Sequence, residues 1–232
     1  MKALEVVREL KAMADPKNVE GMAKFGIRSK NVLGISIYDL RPMAKRIGKD
    51  HKIAAELWAT EIHEARLLAG FIDDPEKVTE KQMEAWAKDF DSWDVVDQVC
   101  SSLLDKTEFA YSKAVEWSSR DEEFVKRAGF VLMAALSVHD RDASDGVFVK
   151  FFPIIKREST DERNFVKKAV NWALRQIGKR NLALNKAAVK AAREIQKLDS
   201  KSARWIAADA LRELTSDKVR QRLTDKPRKL NI

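Results

Sequence analysis

The stretch Asp121-Glu122-Glu123-Phe124-Val125-Lys126-Arg127-Ala128 is echoed 41 residues later by Glu162-Arg163-Asn164-Phe165-Val166-Lys167-Lys168-Ala169. In both copies a polar lead-in holding Glu at its start or within it runs into an aromatic residue, a valine, two cations and an alanine, and helical apolar periodicity runs on from there. A fainter echo follows at Lys201-Ser202-Ala203-Arg204-Trp205. Such a spacing falls inside the roughly 40–47-residue period at which paired helices stack into arrays.

Outward from this repeat the same periodicity predicts helices over 2–14, 18–25, 37–48, 51–58, 60–72, 79–89, 92–104, 108–118, 121–138, 144–155, 161–178, 185–198, 201–214 and 216–223. Turn and cap residues punctuate them at Asp15-Pro16, Asp73-Asp74-Pro75 and His139-Asp140-Arg141-Asp142. No strand-like alternation and no linker interrupts the series. The fold expected is all-α: an α-solenoid of HEAT/armadillo-like helical repeats, curved, with a concave basic surface. Residues 1–232 are read as one domain, with 216–232 as a frayed basic tail around Lys226 to Lys229. A compact irregular helical bundle is the alternative.

Composition agrees. The chain has 8 Gly and 5 Pro in 232 residues, too few for a turn-dense β fold, and 45% hydrophobic residues, enough for a sizeable core. A single cysteine, Cys100, excludes an intramolecular disulfide and fits a reducing compartment. No signal peptide and no membrane-length apolar run is visible. The expected setting is the cytoplasm. The net charge of +8 is unevenly spread: residues 161–232 hold 19 Lys/Arg against 8 Asp/Glu. Basic charge gathered at one end suits a polyanion such as nucleic acid, or else a solvated tail. On the nucleic-acid reading the protein is expected to act as a monomer, nucleoid-associated when DNA-bound.

Helical wheels single out residues that leave core register. In 161–178, Val166, Ala169, Val170, Ala173, Leu174 and Ile177 form one stripe, and Trp172 lies about 130° from its centre. It falls among Lys168, Arg175 and Lys179. That setting suits stacking on a base while the cations meet phosphates; packing beside Phe165 against the next repeat suits it equally. In 121–138 the stripe is Phe124, Val125, Ala128, Leu132, Ala135 and Leu136, and Arg127 lies off it. By the repeat, Arg127 corresponds to Lys168, so two units would present aligned cations to a phosphate backbone, unless Arg127 is an unremarkable surface residue.

The helix near Asp91 reads differently. Asp91 is the expected N-cap, and Asp94 gains from the helix dipole in the first turn. Asp97 is too far in to cap, and it shares a row with Trp93, Cys100 and Leu104. A carboxylate there needs a partner, either an Arg such as Arg127 or a cation developing in a reaction. His51, His63 and His139 have no metal-ligand spacing, and no phosphate loop or nucleophile motif is present. No metal or cofactor is expected. Chemistry left to Asp, Arg, Lys and Trp favours cationic transition states.

Three segments together, Ser92-Trp93-Asp94-Val95-Val96-Asp97, Val125-Lys126-Arg127-Ala128 and Lys168-Ala169-Val170-Asn171-Trp172-Ala173-Leu174-Arg175, resemble the AlkD-type DNA alkylation repair glycosylases. Met22-Ala23-Lys24-Phe25 and Leu33-Gly34-Ile35 resemble that family's N-terminal region, and the similarity runs over residues 5–215. The resemblance implies a HEAT-like solenoid that excises cationic N3- and N7-alkylated purines from double-stranded DNA. It also implies that the lesion is not drawn into the base-binding pocket most glycosylases use. It makes Asp97 the catalytic carboxylate, Trp93 and Trp172 the tryptophans beside the lesion, and Arg127 a backbone contact. Lys168, Arg175, Lys179 and Phe25 join the DNA-binding set; Phe25 stands where the family often has tyrosine. The rival readings are a non-catalytic solenoid that binds bent, branched or damaged DNA, and a protein–protein scaffold.

Overall fold

A computed structural model describes residues 2–27 and 29–225 of the chain. The expected tail at Lys226 to Lys229 lies outside them. Among the described residues there is no strand. Contacts divide the chain into two compact units, Met1–Ala110 and Tyr111–Ile232.

The first unit holds α1 (Ala3–Ala12), α2 (Pro16–Lys24), α3 (Ile37–Ile47), α4 (His51–Trp58), α5 (His63–Ile72), α6 (Glu80–Lys88) and α7 (Trp93–Ser102), then a 3-10 turn at Leu104–Lys106. Helix α5 is its axis, touching α1, α3, α4 and α7. It is buried along almost its whole length, His63, Glu64 and Arg66 included. Gly70 lets α7 approach: a Cβ there would stand 2.9 Å from Val99 Cγ2. Beside it, Trp58 and Trp86 stack at 4.0 Å between ring centres, with the Arg66 guanidinium 5.3 Å from the Trp58 ring. Asp15 caps α2 as expected, accepting from the Lys17 and Asn18 N–H groups at 3.0 and 3.3 Å.

The second unit holds α8 (Ala110–Trp117, whose first residue closes the first unit), α9 (Glu123–His139), α10 (Asp145–Val149), α11 (Phe151–Glu158), α12 (Asn164–Gly178), α13 (Leu182–Ile195), α14 (Lys201–Leu214) and α15 (Asp217–Asp225). Helices α9, α12 and α14 touch in series, and α11, α13 and α15 form a second series laid against them. The 41-residue echo is physical: the Phe124 and Phe165 rings, equivalent by sequence, pack 5.6 Å apart. Polar bonds repeat the same interval. Arg163 donates to the Asp121 carbonyl at 2.6 Å and Ser202 to the Asp161 carbonyl at 2.8 Å. Arg180 reaches the Ser137 carbonyl at 3.1 Å and Arg222 the Lys179 carbonyl at 3.2 Å, each a cation at the C-terminal end of an earlier helix.

Most expected helix boundaries shift by a few residues, and two of the differences have a clear local cause. The helix expected over 144–155 is broken at Lys150, between α10 and α11. Pro153 has no N–H to offer the Val149 carbonyl four residues back, so the ladder fails there. Helix α13 begins at Leu182 rather than near 185, because the Asn181 side chain caps it by accepting from the Leu184 N–H at 2.9 Å.

Helix α9 is buried on every side from Val125 to Ser137, not along one stripe. Gly129 makes this possible on the α8 side, where a Cβ would stand 2.5 Å from the Ser118 nitrogen and 3.0 Å from the Ala114 oxygen. Both are backbone atoms and cannot swing aside. Gly129→Ala is expected to cost about 1–3 kcal/mol through overpacking. For a chain this long, thermal denaturation would then show a Tm lower by roughly 2–4 °C per kcal/mol. An unchanged Tm would contradict so close an approach.

Candidate nucleic-acid interface and catalytic carboxylate

Helix α7 is positioned by its first turn. Ser92, rather than Asp91, takes the N-cap position. Asp91 lies just outside and accepts from the Ser29 hydroxyl at 2.9 Å. Asp94 receives the Ser92 hydroxyl and sits 2.9 Å from Nε2 of His63, whose side chain is fully buried. The other imidazole nitrogen is 3.3 Å from Ser29 Oγ.

This cluster makes α5, α7 and the segment before α3 one electrostatic assembly. Burial works against charge on His63, but the hydrogen bond and charge of Asp94, with Glu64 and Asp91 nearby, outweigh it and raise the pKa. Burial likewise opposes charge on Asp94, and His63 and Ser92 pull its pKa below the ordinary carboxylate value. The sign of the linkage follows. The His63 contribution to stability is complete below the unfolded value of about 6.5 and is lost as pH rises through the raised folded value. The Asp94 contribution is complete above about 3.9 and is lost as pH falls through the depressed folded value. Tm measured against pH is expected to fall as pH rises above about 6.5, and this fall is expected to flatten in Asp94→Asn. Equal slopes in the two proteins would refute the linkage.

On another row of the same helix, Trp93 and Asp97 stand one helical turn apart, both half-buried, while Cys100 and Leu104 further along the row are fully buried. Asp97 is thus at the edge of the apolar face rather than inside it. The Trp93 indole N–H donates to the Phe25 carbonyl at 3.1 Å, and the Phe25 ring itself is 74% exposed. Phe25 therefore enters the site in two ways, through a backbone oxygen that fixes an indole and through a bare aromatic face.

In the second unit the expected residues separate. Trp172 lies half-buried on α12, off the buried stripe of Val166, Ala169, Val170, Ala173, Leu174 and Ile177 as the wheel requires. The cations around it are not equivalent. Lys168 is exposed. Arg175 lies 2.9 Å from Glu213 and 3.3 Å from Asp209, and Lys179 lies 2.7 Å from Glu213. Those two charges are largely met by α14. Arg127 also departs from expectation: it is 5% exposed and donates to the Phe165 carbonyl at 2.6 Å. The aligned pair of surface cations is not formed, because Arg127 ties α9 to α12 while Lys168 faces solvent. Phe165 is also seven residues before Trp172, roughly 10 Å along the helix axis.

Two features escaped the sequence reading. Trp205 on α14 is 42% exposed, with the Lys167 ammonium 5.5 Å from its ring centre. The weak third repeat copy was its only signal. Glu64, fully buried, accepts from the Leu33, Gly34 and Ile35 N–H groups at 2.9, 2.7 and 3.2 Å. Among the described residues no His, Cys, Asp and Glu group suits a metal ion. No helix there is long and apolar enough to cross a membrane.

Comparison with known proteins bears on the fold and the family. Uncharacterised proteins of Listeria innocua serovar 6a and Listeria monocytogenes serovar 1/2a are 26% and 25% identical over 126 residues, 53% of this chain. The match spans 56% of those relatives, so the chain covers about half their length. A solved structure aligns over 92% of this chain and 95% of its own, with a TM-score of 0.74 and 23% identity. It is described as one of a new family of proteins related to the HEAT-like repeat DNA glycosylases, with affinity for branched DNA structures. That likeness makes the fold a HEAT-like repeat array. The family model described as DNA alkylation repair enzyme matches residues 6–214, and with nine-tenths of its length so matched the chain belongs to the DNA alkylation repair enzyme family.

Proposed function

We propose that this protein is a monofunctional DNA glycosylase that hydrolyses the N-glycosidic bond of cationic N3- and N7-alkylated purines in duplex DNA. The observation that supports it most is the pairing on α7: Asp97, half-buried and one turn beyond Trp93, whose indole is fixed by the Phe25 carbonyl. Alkylation at N3 or N7 leaves the purine positively charged, so it departs without a strong general acid. The sugar moves toward an oxocarbenium ion, and a carboxylate beside it stabilises that charge or orients the attacking water. An indole face attracts the same cations, worth about 0.5–2 kcal/mol according to desolvation. Trp172 and the exposed Lys168 are assigned a DNA contact of their own in the second unit, as aromatic surface and phosphate partner.

A second reading, non-catalytic binding of bent, branched or damaged DNA, gains from the engagement of Arg127, Arg175 and Lys179 within the protein. Incubation with methylated duplex DNA and chromatography of free bases separates the two. Release of 3-methyladenine or 7-methylguanine supports the glycosylase. Salt-sensitive DNA binding without release replaces it with the second reading.

A further inference from the structure

The excess positive charge of the C-terminal third is concentrated in an unexpected place. On α13, Lys186, Lys190, Arg193 and Lys197 recur at intervals of four, three and four residues, the last just past the helix end, and all four are exposed. At 100° per residue they fall within about 60° of arc, and the centre of that arc is nearly opposite the buried stripe of Leu184, Ala188, Ala191, Ala192 and Ile195. Among the described residues none of the four is ion-paired. They line a shallow open depression together with Val189 and Glu194. Glu194 is the one carboxylate there, and Lys156 of α11 meets it at 2.8 Å. The row therefore carries four uncompensated positive charges over roughly 16 Å of helix.

We propose that this α13 row is a second DNA-binding surface, one that holds the phosphodiester backbone of a further duplex segment. The buried stripe of α13 faces α12 and α14, so the row points away from the layer that carries Trp172 and Lys168. One duplex segment bound at α12 leaves the α13 row unoccupied, and a second segment can neutralise it. Phosphates recur about every 3.4 Å along one strand, so a row of this length meets several of them. Contact through lysine and arginine alone carries no base information, and binding here is independent of sequence and of alkylation. The proposal rests on the reading that the protein binds DNA. It adds the capacity to hold two segments at once.

The test uses the full chain, an immobilised plain duplex and a second, fluorescent duplex. Wild type is expected to retain the second duplex on the first. K186Q/K190Q/R193Q/K197Q is expected to lose that retention while still binding one duplex and keeping any excision activity. The slope of log affinity for the second duplex against log salt is expected to shrink by about 0.9 for each cation removed. K190Q/K197Q provides a milder second variant, and circular dichroism checks the fold of both. Wild type that binds one duplex, or excises bases from it, but never retains a second overturns the α13 surface and leaves the proposed function standing. The same holds if folded variants bridge as well as wild type. Absence of all DNA binding removes both readings, and capture of an acidic protein in place of DNA overturns this one.

Discussion

Asp97→Asn is expected to lower release of 3-methyladenine and 7-methylguanine by about 10²–10³-fold, the scale set when one preorganised electrostatic group is removed from a charged transition state. The substitution keeps the size of the side chain and takes away only its charge. Asp97 is half-buried within α7 and is not its cap, and circular dichroism of the variant checks that the helix is kept. DNA affinity is expected to stay nearly constant, since the oxocarbenium charge exists only in the transition state. Single-turnover excision and binding to uncleaved DNA should therefore part company in this variant. Full excision by Asp97→Asn removes Asp97 from the chemistry. An equal loss of affinity and rate would make it a binding residue. Trp93→Ala is the companion measurement, because it also frees the Phe25 carbonyl and should weaken both properties.

The second large effect is structural. Glu64→Ala is expected to destabilise the first unit by several kcal/mol, because three backbone N–H groups lose their acceptor, those of Gly34 and Ile35 in a buried place at about 1–3 kcal/mol each and that of Leu33 in a half-buried one. Gly34 has φ of 84°, and a Cβ on it would stand 2.2 Å from the Asp15 oxygen, so the Glu64-bound loop is pressed directly against the backbone before α2. The same loop runs from Ser29, which bonds Asp91, toward α3. Loosening it should release the Phe25 end of the Trp93 hydrogen bond as well. Hydrogen exchange at Leu33, Gly34 and Ile35, together with chemical denaturation, measures this. A Glu64→Ala protein as stable as wild type would show that water satisfies these groups and that the carboxylate is dispensable.

What the sequence could reveal followed a physical rule. The stripes of α12 were legible because a helix facing one layer repeats its apolar residues at 3.6, and every residue expected there is buried. The all-round burial of α9 was not, since glycines and alanines that admit a second neighbour look the same as surface filler in a single helix. Arg127 is the consequence: its off-stripe position read as exposure, when another helix lay there. Arg175 and Lys179 read as available cations because their partners Glu213 and Asp209 are 34–38 residues away, beyond any local pattern. Asp97 and Trp93 were visible because helical rows are local, whereas the carbonyl that orients the indole comes from 68 residues upstream. The α13 row was present in the charge count but hidden in it, because net charge has no direction.

The bonds that span one repeat, from Arg163 to Asp121, Ser202 to Asp161 and Arg222 to Lys179, restrict how such a chain can change length. One residue added inside α12 would rotate everything after it by about 100° and move the apolar stripe and the cross-repeat donors out of alignment together. A whole helical pair can be gained or lost at little cost, because the new neighbour presents the same carbonyls at the same interval. Viable length variants of this protein should thus differ by complete repeats or by residues in the connecting turns. The array is in that sense a tape that can be spliced only at its frame marks.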